Sequence, residues 1–266
     1  MIFPIDHDLH AHSGLSACSA DPDQTPAEML RRAKANGYTL MAVTDHMWDN
    51  LVPDPSDWYR PQDVEHISQA LPLPQDDEVR MLFGCETEYC GGKKLGLHPS
   101  HYDLFDMIVI PPNHFHMKNF TRPACYDTEE KVADLLTERL EELLTIDLPW
   151  KKVGIAHLVS GLTFTEGDEN LVYELVDEKR FRAAMRSFAK KGAGIELNLA
   201  SFPPTWKEHE HAKLRLFRMA KEEGCRFYLA SDAHHPNDLT RVPTRAQSVV
   251  DALGLTGEDL FRPEKG

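Results

Sequence analysis

The sequence predicts an α/β protein: one closed or nearly closed β/α barrel. Three observations predict it. Short apolar runs alternate with helical stretches along all 266 residues, the pattern of a parallel sheet with crossover helices. Seven such runs succeed one another with no Ser/Gly-rich linker between halves, so residues 1–266 read as a single domain rather than two. Each run also ends, or leads into its loop, with a His or carboxylate at the same side, and barrels of this kind carry function at the C-terminal ends of their strands.

The first strand covers 5–12. A helix over 26–36 comes next, with Thr25 as N-cap, Pro26 in the first turn, Glu28 three positions after the cap and Gly37 as the stop. Residues 40–44 form a second buried run, 63–70 a short helix, 79–85 a third strand and 106–110 a fourth. A long amphipathic helix covers 128–145, with Val132, Leu135, Leu136, Leu140, Leu143 and Leu144 on one stripe. A fifth strand covers 153–156, and one or two helices fill 171–191 before Gly192. A sixth strand covers 194–199, a helix 208–223, a seventh strand 226–230 and a last helix 244–253. The stretches 47–64, 90–105 and 111–127 read as loops over one mouth of the barrel.

Composition narrows the function. Lys plus Arg number 29 against 43 Asp plus Glu, a net charge of −14, which argues against a general nucleic-acid binder and against an anionic-membrane binder. No apolar run reaches the roughly 18 residues of a transmembrane helix, and the N-terminus has no basic segment leading into a signal-peptide core. Five cysteines without a C-x-x-C pair fit free thiols in a reducing cytoplasm. The expectation is a cytoplasmic protein with no membrane and no long nucleic acid as partner. The sequence does not give the oligomeric state.

The strand ends carry the chemistry. The first ends in His10-Ala11-His12, the second in Thr44-Asp45-His46, the third in Glu86-Thr87-Glu88 and the fifth in Ala156-His157. The fourth leads into Asn113-His114-Phe115-His116, the sixth ends in Glu196-Leu197-Asn198 and the seventh in Ser231-Asp232-Ala233-His234-His235. In a strand, His10 and His12 share a face, and Asp232 and His234 repeat that spacing. The first and last strands of a closed barrel are neighbours, so the two pairs meet. Imidazoles and carboxylates so arranged suit first-row cations, and Glu86 is the candidate bridge. His7 points to the other face and reads as structural. His66, His209 and His211 lie in predicted helices and read as surface residues.

In this order the motifs H-x-H, T-D-H, G-x-E-x-[DE]-Y (here Gly84 to Tyr89), a His after strand four, A-H, E-x-N and S-D-A-H resemble the PHP (polymerase and histidinol phosphatase) family. The resemblance runs from residue 6 to about 241, with the G-x-E-x-E-Y and E-x-N strings most similar to the histidinol-phosphatase branch. It implies a distorted seven-stranded TIM-like barrel and a metal-dependent phosphoesterase or phosphatase with two or three divalent transition metals (zinc, iron or manganese). By the same resemblance His10, His12, Glu86 and Asp232 hold the first metal, Glu86, His114 and His157 the second, and His46 and His234 a third. The remaining ligand of the third falls on Cys18, eight residues after His10, with Asp21 and Asp23 as alternatives. His116 faces the same way as His114 and is the alternative to it.

Cations so held clamp an in-line displacement at phosphorus and lower the pKa of a water that becomes the nucleophile. Glu86, Asp232 and His234 carry the catalysis, with His234, Asp232 or His235 donating to the leaving group. Arg241, with Arg180 and Lys118 behind it, is the candidate cation for the outer phosphate oxygens. Asp8 and Asp45 are expected to orient imidazole N–H groups. The reaction expected is hydrolysis of a small phosphate monoester, histidinol phosphate first. The alternatives are hydrolysis of a phosphodiester, nucleotide or oligonucleotide end, and a metal-binding protein without turnover.

Overall fold

Period-two side-chain rows decide what the sheet buries on each side. The computed structural model describes residues 1–19 and 21–264. Its strands are β1 (His7–Asp8), β2 (Leu40–Met47), β3 (Arg80–Thr87), β4 (Met107–Ile110), β5 (Val153–Ile155), β6 (Gly194–Asn198) and β7 (Arg226–Ala230), all parallel and paired in sequence order. Along them Met41 and Val43, Phe83 and Cys85, Ile108 and Ile110, Ile195 and Leu197, and Phe227 and Leu229 join the large core beneath the helices. The alternate residues Leu40, Ala42, Leu82, Met107, Val109, Tyr228 and Ala230 form a separate cluster filling the barrel. Continued two residues at a time, the inner rows turn polar at the C-terminal mouth: Leu82 leads through Gly84 to Glu86, Gly194 to Glu196 and Asn198, and Tyr228 through Ala230 to Asp232. The apolar floor and polar rim are two ends of one alternation.

The barrel is nearly closed between the β1 segment and the chain leaving β7. Leu9 N donates to Leu229 O at 3.0 Å, Asp232 N to His10 O at 2.8 Å and His12 N to Ala233 O at 2.9 Å. Side chains share the seam. Leu229 N also approaches His7 Nε2 at 2.9 Å, and Ser231 N donates to Asp8 Oδ1 at 2.9 Å. Where a carboxylate takes an N–H that a carbonyl would take in a ladder, regular pairing stops. For that reason the first strand, expected over 5–12, is regular only at His7–Asp8, although residues 9–12 remain hydrogen-bonded between β2 and the β7 extension.

The crossover helices are α1 (Pro26–Ala35), α2 (Val64–Ile67), α3 (Glu129–Leu143), α4 (Glu169–Leu175), α5 (Glu178–Lys191), α6 (Glu210–Glu222) and α7 (Arg241–Leu253). Thr25 caps α1 as expected, its hydroxyl accepting from Glu28 N at 3.2 Å. The 171–191 stretch is two helices because Asp177 interrupts it and caps the second, accepting from Arg180 N at 2.8 Å. The last helix begins three residues earlier than expected, at Arg241, continuing from a 3-10 turn over Pro236–Thr240. Among the described residues no helix is long and apolar enough to cross a membrane.

Candidate metal centre

The C-terminal ends of the strands converge on Glu86. Its Oε2 lies 3.2 Å from His10 Nε2, 3.3 Å from His12 Nε2 and 3.0 Å from His46 Nδ1. Its Oε1 lies 3.4 Å from His157 Nε2 and 3.7 Å from His114 Nε2. Asp232 stands across from it, with Oδ1 3.3 Å from His12 Nε2 and Oδ2 3.7 Å from His157 Nε2. His12 stacks on His234 at a ring-centroid distance of 4.2 Å and lies 4.4 Å from His46. Four overlapping groups thus have ligand atoms within 4.8 Å of one another: His10–His12–Glu86, Glu86–His114–His157, His10–His157–Asp232 and His12–His46–His234.

These residues fit cations. The groups are buried or nearly so, yet both oxygens of Glu86 and Nε2 of His114 have no hydrogen-bond partner despite the short approaches. Buried polar atoms left unmatched are costly, and a shared cation would satisfy them. His10 and His12 also turn their Nε2 atoms to within 3.1 Å of each other. Burial opposes ionisation of Glu86 and Asp232, but the surrounding imidazoles, His46 and His10 about Glu86 and His10 and His12 about Asp232, hold both carboxyls well below the usual range. Burial opposes protonation of His157 too, but Glu196, Asp232 and Glu86 raise it to about 9. His234 goes the other way, down to about 4, through burial and the proximity of His12.

Sequence reasoning missed the groups that aim the imidazoles. Glu196 Oε1 lies 2.5 Å from His10 Nδ1, and its Oε2 accepts from His157 N at 2.7 Å. Glu88 Oε1 lies 2.6 Å from His114 Nδ1 and accepts from Tyr59 Oη at 2.6 Å. Ser16 Oγ lies 2.9 Å from His12 Nδ1 and donates to Asp45 Oδ1 at 2.8 Å. With Nδ1–H donated outward in each case, Nε2 keeps its lone pair toward the cluster. The signal for Glu196 and Glu88 was present, since each shares an inner row with a residue already singled out. Ser16 had none. Asn198 Nδ2 adds a bond to Asp232 Oδ2 at 3.1 Å. His157 and Asp232 have left-handed backbones, with φ of 56° and 50°. The surroundings hold this unfavourable conformation. Glu196 takes the His157 N–H, Asn113 donates to its carbonyl, and Arg241 Nη1 donates to the Asp232 carbonyl at 2.8 Å.

Several expectations need correction. Cys18 lines the cavity but belongs to none of the four groups, and its thiol is pushed up to about 12 by burial and by Glu86 and Asp232. Asp21 does not replace it, being paired with His235 at 2.6 Å. That pairing turns His235 away from the cavity. Arg241 is spent on the Ser231 and Asp232 carbonyls and on Asp238 at 2.6 Å, so it buttresses the loop instead of facing an anion. Arg180 pairs with Asp134 and Glu141 on α3. Asp8 serves the seam, and Asp45 reaches His12 only through Ser16. His114 reaches the cluster, while His116 sits at the cavity wall, its protonation lowered to about 4 by burial and the imidazoles of His114 and His157. His66 is half-buried, its Nε2 2.8 Å from Leu15 O.

Above the cluster opens a cavity of about 510 Å³, walled by Trp58 and Tyr59, by Met117, Lys118 and Phe120, and by Leu162. The 90–105 loop, expected over the mouth, does not line it. It backs the Trp58 loop, with Asp49 N donating to Gly96 O at 2.7 Å.

A parallel β/α barrel whose rim gathers buried imidazoles and carboxylates around a shared glutamate defines a barrel with a metal-ion centre. The chain belongs to the PHP domain family, whose model matches residues 8–200. A comparison with curated protein sequences finds no match. Among solved structures the fold is similar to histidinol phosphate phosphatase (HisK) from Lactococcus lactis, determined with Zn, L-histidinol and phosphate. The TM-score is 0.52 and the identity 14%, over 97% of this chain and 99% of that one. It is also similar to a candidate histidinol phosphatase, HisK, from Listeria monocytogenes, at TM-score 0.57 and 14% identity over 92% and 99%. Family and fold together support a metal-dependent phosphoesterase.

Proposed function

We propose that the protein hydrolyses a small phosphate monoester at a centre of two or three divalent transition cations held by His10, His12, Glu86 and Asp232, by Glu86, His114 and His157, and by His46 and His234. The observation that carries this reading is Glu86, whose two buried oxygens each face a separate set of imidazole nitrogens without a hydrogen-bond partner. When bound, such cations neutralise phosphate charge and lower the pKa of water toward neutrality. The chain's own residues do the rest. Glu196, Ser16 and Glu88 fix the imidazoles, so little reorganisation is needed. Trp58, Phe120 and Leu162 keep bulk water from the leaving-group side. His234 donates from Nδ1 to the Asp232 carbonyl at 3.0 Å, which leaves the Nε2 lone pair to accept from, and so orient, the water that protonates the departing oxygen. It fills that role in exchange for, not together with, a third cation. Lys118 is an exposed cation on the cavity wall.

Histidinol phosphate is the reference monoester of the panel, since the Lactococcus neighbour was determined with L-histidinol and phosphate. Free cysteines at positions 18, 85, 90, 125 and 225 suit a reducing compartment such as the cytoplasm. The test measures metal content and phosphate release from monoesters, a diester and nucleotides with Mn, Zn or Fe added. The expected result is at least two equivalents of metal and monoester turnover, both lost in Glu86→Ala. Failure to hydrolyse any phosphate ester while fully loaded would overturn the proposal.

A further inference from the structure

Beyond the imidazoles, the cavity wall is apolar and mostly aromatic. Trp58 stands edge-on to His46 at a centroid distance of 5.1 Å, Tyr59 meets Trp58 at 4.7 Å, and Phe120 lies nearly parallel to Tyr59 at 6.0 Å. Trp58 and Leu162 line the cavity while 40% and 36% exposed, so large apolar surface waits there without a protein partner. The charges on the wall are as telling. Its carboxylates are Glu86, Glu88 and Asp232. Glu86 and Asp232 face imidazoles, and Glu88 is fully buried behind His114 and Tyr59. Lys118 is the wall's lysine, its Nζ 3.5 Å from Glu166 at the rim. Among the described lining residues, an ammonium on a leaving group finds no free carboxylate and meets Lys118 instead, while losing its hydration against Trp58 and Leu162.

We propose that the leaving group this site takes is a flat, uncharged aromatic ring on a short alkyl arm, lying on Trp58 and Phe120, and that leaving groups bearing an ammonium are selected against. This rests on the phosphomonoesterase reading and narrows it. The reaction stays hydrolytic: the water oxygen bonds to phosphorus, the ester P–O bond breaks, and the departing oxygen takes up a proton to leave as the alcohol.

The experiment compares 2-phenylethyl phosphate, glycerol 1-phosphate and histidinol phosphate on the metal-loaded enzyme. All three are primary alkyl esters, so wall contacts outweigh differences in leaving-group basicity. The expected kcat/KM for 2-phenylethyl phosphate exceeds that for glycerol 1-phosphate by on the order of tenfold, with histidinol phosphate lowest. Trp58→Ala should bring the first ratio close to one, Trp58→Phe should restore most of it, and Lys118→Glu should raise histidinol phosphate relative to the others. Calorimetric binding of the non-hydrolysable 2-phenylethylphosphonate should weaken on the order of tenfold in Trp58→Ala. Histidinol phosphate turned over as well as 2-phenylethyl phosphate, or a ratio unmoved by Trp58→Ala, would overturn the inference and leave the phosphatase reading standing. Turnover of none of the three with metal loaded would count against both.

Discussion

Replacing Glu196 by Gln should cost metal affinity more than its small change in shape suggests. The wild-type carboxylate accepts twice, from His10 Nδ1 at 2.5 Å and from His157 N at 2.7 Å. An amide offers one acceptor there, and its NH2 must face one of the two donors. If the amide oxygen stays with the His157 N–H, the NH2 meets His10 Nδ1, and His10 must shift its proton to Nε2, the atom that faces Glu86. The imidazole then has no lone pair for a cation. If the amide is reversed, the buried N–H of left-handed His157 is orphaned. In that second arrangement the unmatched donor costs about 1–3 kcal/mol, or roughly 2–10 °C in Tm for a chain of this size. Loss of a partner to a ligand imidazole typically lowers metal affinity about 10–100-fold. Calorimetry of the metal-free protein reads the first effect, and titration against a chelator of known affinity reads the second. Metal affinity within twofold of wild type would refute the claim that Glu196 sets the His10 tautomer.

The geometry predicts three further outcomes. Burial holds His7 neutral, with its pKa lowered to about 4 against an ordinary 6.5, so the unfolded chain takes up the proton first as pH falls. Its contribution to stability is full above about 6.5 and is lost toward pH 4, and denaturant midpoints should show a slope there that His7→Gln flattens. Gly154→Ala sets a methyl against the Tyr228 hydroxyl and Met107 Cε inside the barrel, and should destabilise by about 1–3 kcal/mol in the same midpoint assay. Cys18→Ser should leave metal stoichiometry unchanged by mass spectrometry, because Sγ lies outside every cluster of candidate donors.

The barrel was legible because each strand is a buried run punctuated by capped helices, and local rules suffice for that. The residues that gather at the rim were legible for a related reason: once strands are parallel, their C-terminal ends must meet. The illegible part depends on distance in sequence. Glu196 is 186 positions from the imidazole it holds; its row shows that it faces the rim, but not which imidazole it takes. By proximity to the last motif Arg241 looked suited to an anion and His235 to a leaving group, but Asp238 and Asp21 claimed them. The first strand was overdrawn because alternation alone does not show that Asp8 will replace a carbonyl in the ladder.

The seam between the ends of the sheet bears on how the protein comes into being. His10 and His12 leave the ribosome first, and Asp232 and His234 emerge more than two hundred residues later. A ring this long is closed in part by side-chain bonds from His7 and Asp8, and long-range parallel pairing is slow to form. A nascent chain short of the last strand holds its early imidazoles without their opposing carboxylate. A cation held by His10 or His12 together with Asp232 would join the two ends of the sheet as a covalent clip does.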